Sequence, residues 1–458
     1  MAALIFIFCA ARALASPVTV TFNSLVSFDG TNGAAPRYMS LVQGIDGNLY
    51  GTTEVDGANG HGTVFKITPS GTLTTIYSFC AQSNCVDGIY PYAGLAQDSK
   101  GTFYGTTSAG GANSEGTVFK ITAAGALTTL HSFDSTDGAS PYGGLMLASD
   151  GNFYGTTESG GANNYGTIFT ITPAGALTTL HSFDSTDGSY PYDALVQDSK
   201  GNFYGTTLTG GAYGHGTVFQ STSTGTLTTI HSFNSTDGQY PYAGLTPDGK
   251  GNFYGTTYDG GTAGDGTVFA ITPAGTLTTI YNFCSQTNCS DGSTPEAGVV
   301  EGADGNFYGT TTLGGTNGYG TAYAVTPTGT LTTLHLFDRT DGSNPVGGLV
   351  QGTNGTFYGT TYEGGENQDG TVFSVGVGLK PFVATVPTSG KVGAAVIILG
   401  TNLTGSTEVT FNGTAAKFKV LSKSEIKTTV PKGAKTGTVE VKTPKGTLKS
   451  NLVFRVTK

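Results

Sequence analysis

One motif recurs seven times along the chain. It reads GNLYGTT at Gly47, GTFYGTT at Gly101 and Gly355, and GNFYGTT at the remaining four sites, Gly151, Gly201, Gly251 and Gly305. Successive copies are 54, 50, 50, 50, 54 and 50 residues apart. A period near 50 residues is typical of propellers and solenoids, and the number of strands in one unit decides between them.

Each repeat contains four short runs that favour β-structure. In residues 195–233 these runs are LVQD, NFYGTT, GTVFQST and TLTTIHSF, and Gly, Asn, Ser and Asp separate them. Glycine supplies 73 residues and charged residues only 11%, which suits short strands joined by tight turns. Four strands per unit make one propeller blade.

The two ends of the array are out of phase with the repeat. The chain enters with TVTFNSLVSF at 19–28, which matches a fourth strand, and leaves after GTVFSVG at 370–376, which matches a third. A closed ring uses this offset, because the first strand completes the last blade and removes the open sheet edge. The sequence therefore predicts an all-β, seven-bladed β-propeller whose last blade combines residues 349–351, 356–361 and 370–375 with residues 19–28.

The full unit also carries a family resemblance. Its pattern FYGTT..GG....GTVF.IT..G.LTTLHSF...DG..PY.GL resembles the bacterial GloVer (Gloeo/Verruco) tandem repeat over about residues 18–376. That resemblance implies an exported, surface-anchored protein. The element DGNxYxxT is shared more loosely with NHL-type propellers, which bears on the fold and not on activity.

After residue 379 the pattern changes to alternating strands such as VIILG, EVTFNG and GTVEVKT. The alternation predicts a small immunoglobulin-like β-sandwich. The segment resembles the IPT/TIG domain through PTSG at Pro387, GTNL at Gly400, VTFNG at Val409, VP at Val430 and GTV at Gly437. The resemblance implies a spacer or interaction module.

The first residues read as an export signal. An apolar run from Ala2 to Ala11 precedes Ala13-Leu14-Ala15, a small-x-small cleavage pattern. No later apolar run approaches the roughly 20 residues that cross a bilayer. We therefore expect a signal peptide at 1–15, the propeller at 17–379, the IPT/TIG domain at 380–458, and no membrane span.

Charge divides unevenly between the two predicted domains. Residues 1–380 carry 9 Lys or Arg against 28 Asp or Glu, while residues 381–458 carry 12 against 3. The basic sandwich could dock on the acidic ring or bind an anionic polymer. Alternatively, its lysines are solvated side chains that keep a spacer soluble.

The four cysteines beyond the signal segment come in two pairs. Each pair, Cys80 with Cys85 and Cys284 with Cys289, lies in a four-residue insertion that accounts for a 54-residue spacing. The loops belong to blades four apart, too far for a shared zinc ion, and the spacing is not CxxC. In an exported protein these pairs predict two local disulfides and no metal site.

Histidine and aspartate recur at fixed columns of the repeat. His131, His181, His231 and His335 share a column with Tyr77 and Tyr281, which indicates a packing or rim position instead of metal ligands. The DxxDG loops lack the middle carboxylate of a calcium loop, so we expect their aspartates to cap turns. No phosphate-binding GxxxxGK[ST] or nucleophile GxSxG occurs. We expect no cofactor and no nucleic-acid partner.

The clearest departure from the repeat follows the loop proline. This column is expected at the top rim of the central channel, and it reads Arg37, Tyr92, Tyr142, Tyr192, Tyr242, Glu296 and Val346. A crescent of tyrosines with one cation and one anion suits stacking against a sugar or a peptide. The alternative is that each tyrosine packs under the loop of its neighbour.

These observations predict a monomeric, non-enzymatic surface interaction or scaffolding protein, extracellular or at the cell surface. Its expected partner is an extracellular polysaccharide or another surface protein, bound at the top face of the propeller. An enzyme on a ring of similar blades needs an asymmetric cluster of carboxylates, histidines or metal ligands, and the sequence singles out none. The competing interpretation is a propeller lyase or hydrolase acting on extracellular carbohydrate.

Overall fold

Seven four-stranded antiparallel sheets follow one another along the chain, and a two-layered β-domain follows them. This architecture is seen in a computed structural model that describes residues 19–457. It confirms the predicted propeller and the immunoglobulin-like domain after it. The predicted signal peptide at 1–15 lies outside the described residues.

The strands of each blade follow the repeat. The first, innermost strands are Val42–Gln43, Ala96–Gln97, Met146–Leu147, Val196–Gln197, Thr246–Pro247, Val300–Glu301 and Val350–Gln351. The second strands are Leu49–Thr53, Phe103–Thr107, Phe153–Thr157, Phe203–Thr207, Phe253–Thr257, Phe307–Thr311 and Phe357–Thr361. The third strands are Thr63–Ile67, Thr117–Ile121, Thr167–Ile171, Thr217–Ser221, Thr267–Ile271, Thr321–Val325 and Thr371–Gly376. The fourth strands are Leu73–Ser78, Leu127–Ser132, Leu177–Ser182, Leu227–Ser232, Leu277–Asn282, Leu331–Leu336 and, from the start of the chain, Thr21–Ser27.

The strand at the start of the chain closes the ring. Thr21–Ser27 pairs antiparallel with Thr371–Gly376, from Thr21 opposite Gly376 to Ser27 opposite Thr371. Blade 7 is thereby completed by two distant parts of the chain, as the phase offset predicts. We call the ends of the blades that carry the loops between second and third strands the top face, and the opposite ends the bottom face.

Neighbouring blades are joined by aromatic contacts that the FYGTT motif supplies. The ring of Tyr104 stacks on Phe153 of the next blade at 4.0 Å, and the same contact repeats from blade to blade. The glycine of the motif leaves room for side chains packed inside its own blade. A Cβ on Gly155 would lie 2.7 Å from the Phe169 ring and 3.0 Å from the Leu145 side chain.

The repeated histidines bind the loop aspartates. His181 Nε2 lies 2.8 Å from Asp187 Oδ2, and the other three histidines make the same pair at 2.7–3.0 Å. Where the column holds tyrosine, Tyr77 donates its hydroxyl to Asp87 at 2.7 Å. Either side chain therefore ties the outer strand to the loop above it, which explains why the column accepts both.

The other loop aspartate caps the turn as predicted, because Asp184 Oδ1 accepts the backbone N–H groups of the two residues that follow Ser185.

Both predicted disulfides are present, Cys80–Cys85 and Cys284–Cys289. Each closes a loop that holds a 3₁₀ turn, Ser83–Cys85 or Thr287–Cys289. The inserted residues leave the blades on either side in register.

The domain after the ring packs two four-stranded sheets and one strand pair around one apolar core. Val396, Ile398, Phe411, Val441 and Phe454 are among the fully buried residues of that core. Its strands are Ala384–Val386, Ser389–Lys391, Ala395–Leu399, Glu408–Phe411, Thr414–Ala415, Phe418–Val420, Glu425–Thr429, Val439–Thr443, Gly446–Lys449 and Arg455–Thr457.

This sandwich contacts the bottom face of the ring. Arg455 donates to the backbone carbonyl of Asp198 and to the side-chain oxygen of Gln197 at 3.3 Å. Phe382 N–H donates to the carbonyl of Thr353 in blade 7 at 3.0 Å. At blade 1, Asp46 of the ring and Ser424 of the sandwich line a shared cavity of about 290 Å³. Within residues 19–457, no ion pair joins the two domains.

Residues 19–457 hold no helix of the length and apolar character that a bilayer crossing requires.

The histidine–aspartate contact gives a matched pair of variants. Asp187→Ala leaves both His181 and the backbone N–H of Asp184 without an acceptor. It should lower the free energy of unfolding by about 1–3 kcal/mol. His181→Tyr, which copies the contact of Tyr77, should change it little. Urea unfolding of the three proteins checks this, and equal losses in both variants would contradict the assignment.

The disulfides give a second prediction. Replacing Cys80 and Cys85 together by serine removes one six-residue cross-link, which should lower the free energy of unfolding by about 2 kcal/mol. Denaturant unfolding under non-reducing conditions measures the loss. Mass spectrometry of the unreduced wild-type protein should find no free thiol at Cys80, Cys85, Cys284 or Cys289, and finding four would overturn the pairing.

Candidate functional site

A cavity of about 350 Å³ runs along the axis of the ring. Leucine, valine, alanine and glycine of the innermost strands and of the segments just before them form most of its wall. Tyr38, Tyr192, Tyr242 and Glu296 line it at its top end, and Asp193 lines it just below. We call this top end the mouth.

The tyrosine rings around the mouth form a continuous contact series. Tyr142 lies 4.8 Å from Tyr92, edge to face, and 4.8 Å from Tyr192, nearly parallel. Tyr192 meets the edge of Tyr242 at 5.4 Å, and Tyr38 contacts both of these rings at 5.4 and 6.2 Å. The four predicted tyrosines are thus brought together with a fifth. They contact each other, so part of their role is packing, as the alternative interpretation expected.

Tyr38 enters the series because blade 1 has one residue more than the other blades. Blade 1 reads PRYMSL where blade 2 reads PYAGL. Counted back from the inner strand, Tyr38 occupies the tyrosine column and Arg37 is the extra residue. Tyr38 has a positive φ of 50°, an unfavourable conformation for an aromatic residue that the loop residues Tyr90, Tyr190 and Tyr240 also adopt.

The insertion also interrupts a hydrogen bond that otherwise joins neighbouring blades. In six blades the first threonine hydroxyl of YGTT donates to a carbonyl of the next blade at 2.9–3.3 Å, from Thr52, Thr106, Thr156, Thr206, Thr256 and Thr310. In blade 7 the Thr360 hydroxyl faces blade 1 and is without a partner among the described residues. The large side chain of Met39 is fully buried at this junction, where other blades have Ala, Gly or Asp.

The Arg37 side chain contacts a carboxylate and two aromatic rings. Its guanidinium lies 3.7 Å from Glu54, and its central carbon lies 4.9 Å from the Tyr38 ring and 5.2 Å from the Tyr362 ring. Glu54 also accepts the Tyr92 hydroxyl at 2.8 Å. This cation of the mouth is therefore paired within the described part of the chain.

Asp193 is a departure that sequence analysis missed. Its column otherwise holds only alanine or glycine, apart from Met39 in blade 1. The carboxylate accepts the backbone N–H groups of Ala194 at 2.7 Å and Gly244 at 2.8 Å. Burial nevertheless raises the pKa of Asp193, and those two hydrogen bonds oppose the shift only in part.

Two further carboxyl groups lie near the tyrosines. Burial raises the pKa of Glu296, while the neighbouring hydroxyls of Tyr38 and Thr312 and, to a smaller extent, the charge of Arg37 act in the opposite direction. Burial alone raises the pKa of Glu158, whose charge acts on Tyr142 and Tyr192. The mouth therefore holds carboxyl groups on one side whose charge is poorly compensated.

Sequence analysis placed six of these residues at the rim, and the structure brings all six to the mouth: Arg37, Tyr92, Tyr142, Tyr192, Tyr242 and Glu296. It missed Tyr38, Glu54, Glu158 and Asp193. Departure from the repeat could have found the missed carboxyl residues too. They stand out in the column directly after the tyrosine column and in the column directly after YGTT. The column after YGTT, for example, reads Glu54, Ser108, Glu158, Leu208, Tyr258, Thr312 and Tyr362.

Two side-chain clusters outside the mouth have the composition of metal sites. Cys80 and Cys85 lie with His61, and Cys284 and Cys289 lie with Asp265, with candidate ligand atoms within 4.8 Å of one another. The cysteines of both clusters are joined in disulfides. Metals bind the thiolate, so the oxidised protein offers no cysteine ligand here.

Comparison with solved structures supports the fold. The extracellular domain of a protein assigned as a one-component system from B. thetaiotaomicron matches with a TM-score of 0.50 and 10% identity, covering 96% of this chain and 58% of that one. The chain thus spans little more than half the length of that protein. An auxiliary nutrient binding protein from Bacteroides thetaiotaomicron matches with a TM-score of 0.43, 13% identity, and coverage of 80% and 78%. A protein assigned as a 6-phosphogluconolactonase from Bacteroides fragilis matches with a TM-score of 0.43, 18% identity, and coverage of 67% and 85%. A search of curated proteins gives no match.

The prediction that the chain is not an enzyme is corrected here. The similar propeller structures include that lactonase, a luciferin-regenerating enzyme and a protein assigned as a gluconolactonase. Their low identity carries no activity over to this chain. The ring itself, however, gives no ground for excluding catalysis, because the mouth holds Asp193 and Glu158, which the sequence did not single out, in addition to Glu296.

The buried carboxyl of Glu158 gives a pH-dependent prediction. A carboxyl whose pKa is raised on folding costs no stability below its ordinary pKa, and the cost grows as the pH rises through the raised value. Glu158→Gln should therefore raise the melting temperature at pH 7, and the gain should shrink toward pH 4. Glu366→Gln, at an exposed top-face position, is the control and should show no such trend. A constant difference from pH 4 to 7 would contradict the burial.

The family of the chain is settled by its repeats. The model of the Gloeobacter/Verrucomicrobia repeat matches residues 14–200, 136–303 and 192–418, which together span most of the chain. The model of the IPT/TIG domain matches residues 382–456. The chain therefore belongs to the Gloeobacter/Verrucomicrobia repeat family and carries an IPT/TIG domain after its repeats.

Proposed function

We propose that this is an exported protein, extracellular or at the cell surface, that binds an extracellular polysaccharide or another surface protein at the mouth of its propeller. One observation carries the proposal. Apart from the two disulfide loops, the ring is nearly regular, and four further departures from the repeat lie together at the mouth: Arg37, Tyr38, Asp193 and Glu296. Departures that leave a buried hydroxyl such as that of Thr360 without a hydrogen-bond partner are expected at functional positions.

The chemistry of the mouth supports ligand binding. A cavity of about 350 Å³ lies within the usual size range of ligand pockets, and it combines apolar walls with a few polar groups. Tyrosine offers rigid apolar area with a polar tip, which suits sugars and peptide side chains. The two local disulfides and the apolar leader at 1–15 support export.

A second candidate is a hydrolase or lyase acting on extracellular carbohydrate. Asp193 and Glu296 line the same cavity, and burial raises the pKa of both. A carboxyl with a raised pKa can act as a general acid, and a pair can divide acid and base roles. This observation is the one that favours an enzyme.

A glycan and peptide array probed with the full chain tests the proposal. The informative variant is Tyr192→Val, because the same column holds Val346 in blade 7 and the fold accepts valine there. We expect it to weaken binding of the array ligand at least tenfold, since it removes a ring that lines the mouth. Tyr213→Val is the control, because Tyr213 is 61% exposed and does not line the cavity.

Two outcomes would count against the proposal. Either the array shows no ligand, or Tyr192→Val and Tyr213→Val bind the ligand equally well. Bound glycans incubated with the protein and analysed by mass spectrometry separate binding from cleavage. Shortened or unsaturated products that disappear in Asp193→Ala would favour the enzyme.

A further inference from the structure

The mouth contains one example of a bound cation, the side chain of Arg37. On the side formed by blades 1, 2 and 7, the Arg37 guanidinium lies over the rings of Tyr38, Tyr92 and Tyr362 at 4.9, 5.9 and 5.2 Å. Glu54 completes the arrangement at 3.7 Å. Aromatic faces and a carboxylate together stabilise a cation that is shielded from water.

The side formed by blades 3 to 6 has the same ingredients without a cation. The rings of Tyr142, Tyr192 and Tyr242 contact each other there. Asp193 and Glu296 line the cavity beside them. Among the described residues that line the cavity, none is Lys, Arg or His.

Burial disfavours charge on both carboxyl groups, so a cation beside them would relieve that cost. An anionic group would be repelled, and a neutral group would leave their charge unpaired in a partly desolvated site.

The dimensions of the site limit what can enter. About 350 Å³ holds one small unit, not a long chain. The sandwich covers parts of the bottom face, through Arg455 at blade 4 and Phe382 at blade 7. We therefore expect a ligand to approach from the top face, where the tyrosines lie, with one unit inserted and the rest outside.

We propose that the inserted unit carries a primary ammonium group, which lies between the Tyr192 and Tyr242 rings and the carboxylates of Asp193 and Glu296. This inference rests on the proposed ligand-binding function and names the chemistry of its ligand. Two sources supply that group at a suitable size, an amino sugar of a polysaccharide and a lysine side chain of a protein.

Titration calorimetry on the full chain tests this with two matched pairs of probes. The sugar pair is the glucosamine trisaccharide with free amines and its fully N-acetylated form. The peptide pair is a short peptide with one lysine and the same peptide with that lysine acetylated. We expect one amine probe to bind at least tenfold more tightly than its acetylated counterpart, and the pair that shows the difference identifies the source.

The variant Asp193→Ala should abolish that preference. Alanine stands at the same column in blades 2, 5 and 6, at Ala93, Ala243 and Ala297, so the variant is expected to fold. Glu366→Gln removes one charge from the same face outside the cavity, and it should change the affinity less than twofold.

The outcomes separate this inference from the proposed function. If the acetylated probes bind as tightly as the amines, or if the array ligand is neutral or anionic and still depends on Tyr192, the ammonium assignment is overturned and ligand binding stands. If neither array nor calorimetry finds a ligand that depends on Tyr192, both proposals fail. Equal loss of amine binding in Asp193→Ala and Glu366→Gln would indicate attraction to the acidic face alone and would also overturn the assignment.

Discussion

The antiparallel pairing of Thr21–Ser27 with Thr371–Gly376 holds the ring closed. Six blades are each made from one continuous segment, and the seventh is completed only by this pairing. Without it the third strand of blade 7 would present an open edge, and the stacking of successive blades would end there. The axial cavity depends on the same closure, because residues of all seven blades wall it.

A regular ring and a specific site make opposite demands on the sequence. The tyrosine–phenylalanine stacking and the threonine–carbonyl bonds between blades repeat because each blade meets its neighbour in the same way. The mouth differs because one blade has an extra residue, Arg37, and others carry Asp193 or Glu296 in columns that otherwise hold uncharged residues. The ring loses a hydrogen bond at Thr360 where this irregularity is greatest. Regular packing thus supplies the scaffold, and local exceptions supply the chemistry.

The sequence predicted the ring well because its evidence was repeated seven times. Strand number, the closing strand and the disulfide loops all follow from comparing one unit with the next. The site was predicted only in part, for two physical reasons. Asp193 escaped notice because it lies in the irregular segment before the two-residue innermost strand Val196–Gln197, where no alternation tells which side chains face the axis. Counting from the loop proline also placed Arg37 in the tyrosine column, whereas strand pairing, which fixes the register, places Tyr38 there. The docking of the sandwich through Arg455 depends on surfaces formed by distant segments, which no local pattern encodes.

The central claim is that ligand recognition resides in the exceptions around the mouth and that the fold does not need them. A regularised protein tests it most directly, with residues 37–40 replaced by the Tyr-Ala-Gly of blade 2, Asp193→Ala, and Glu296→Tyr. Its melting temperature and its binding on the array should be measured beside the wild type. The account predicts a melting temperature equal to or higher than that of the wild type, together with loss of binding. A regularised protein that folds and retains the ligand, or one that no longer folds, would contradict it.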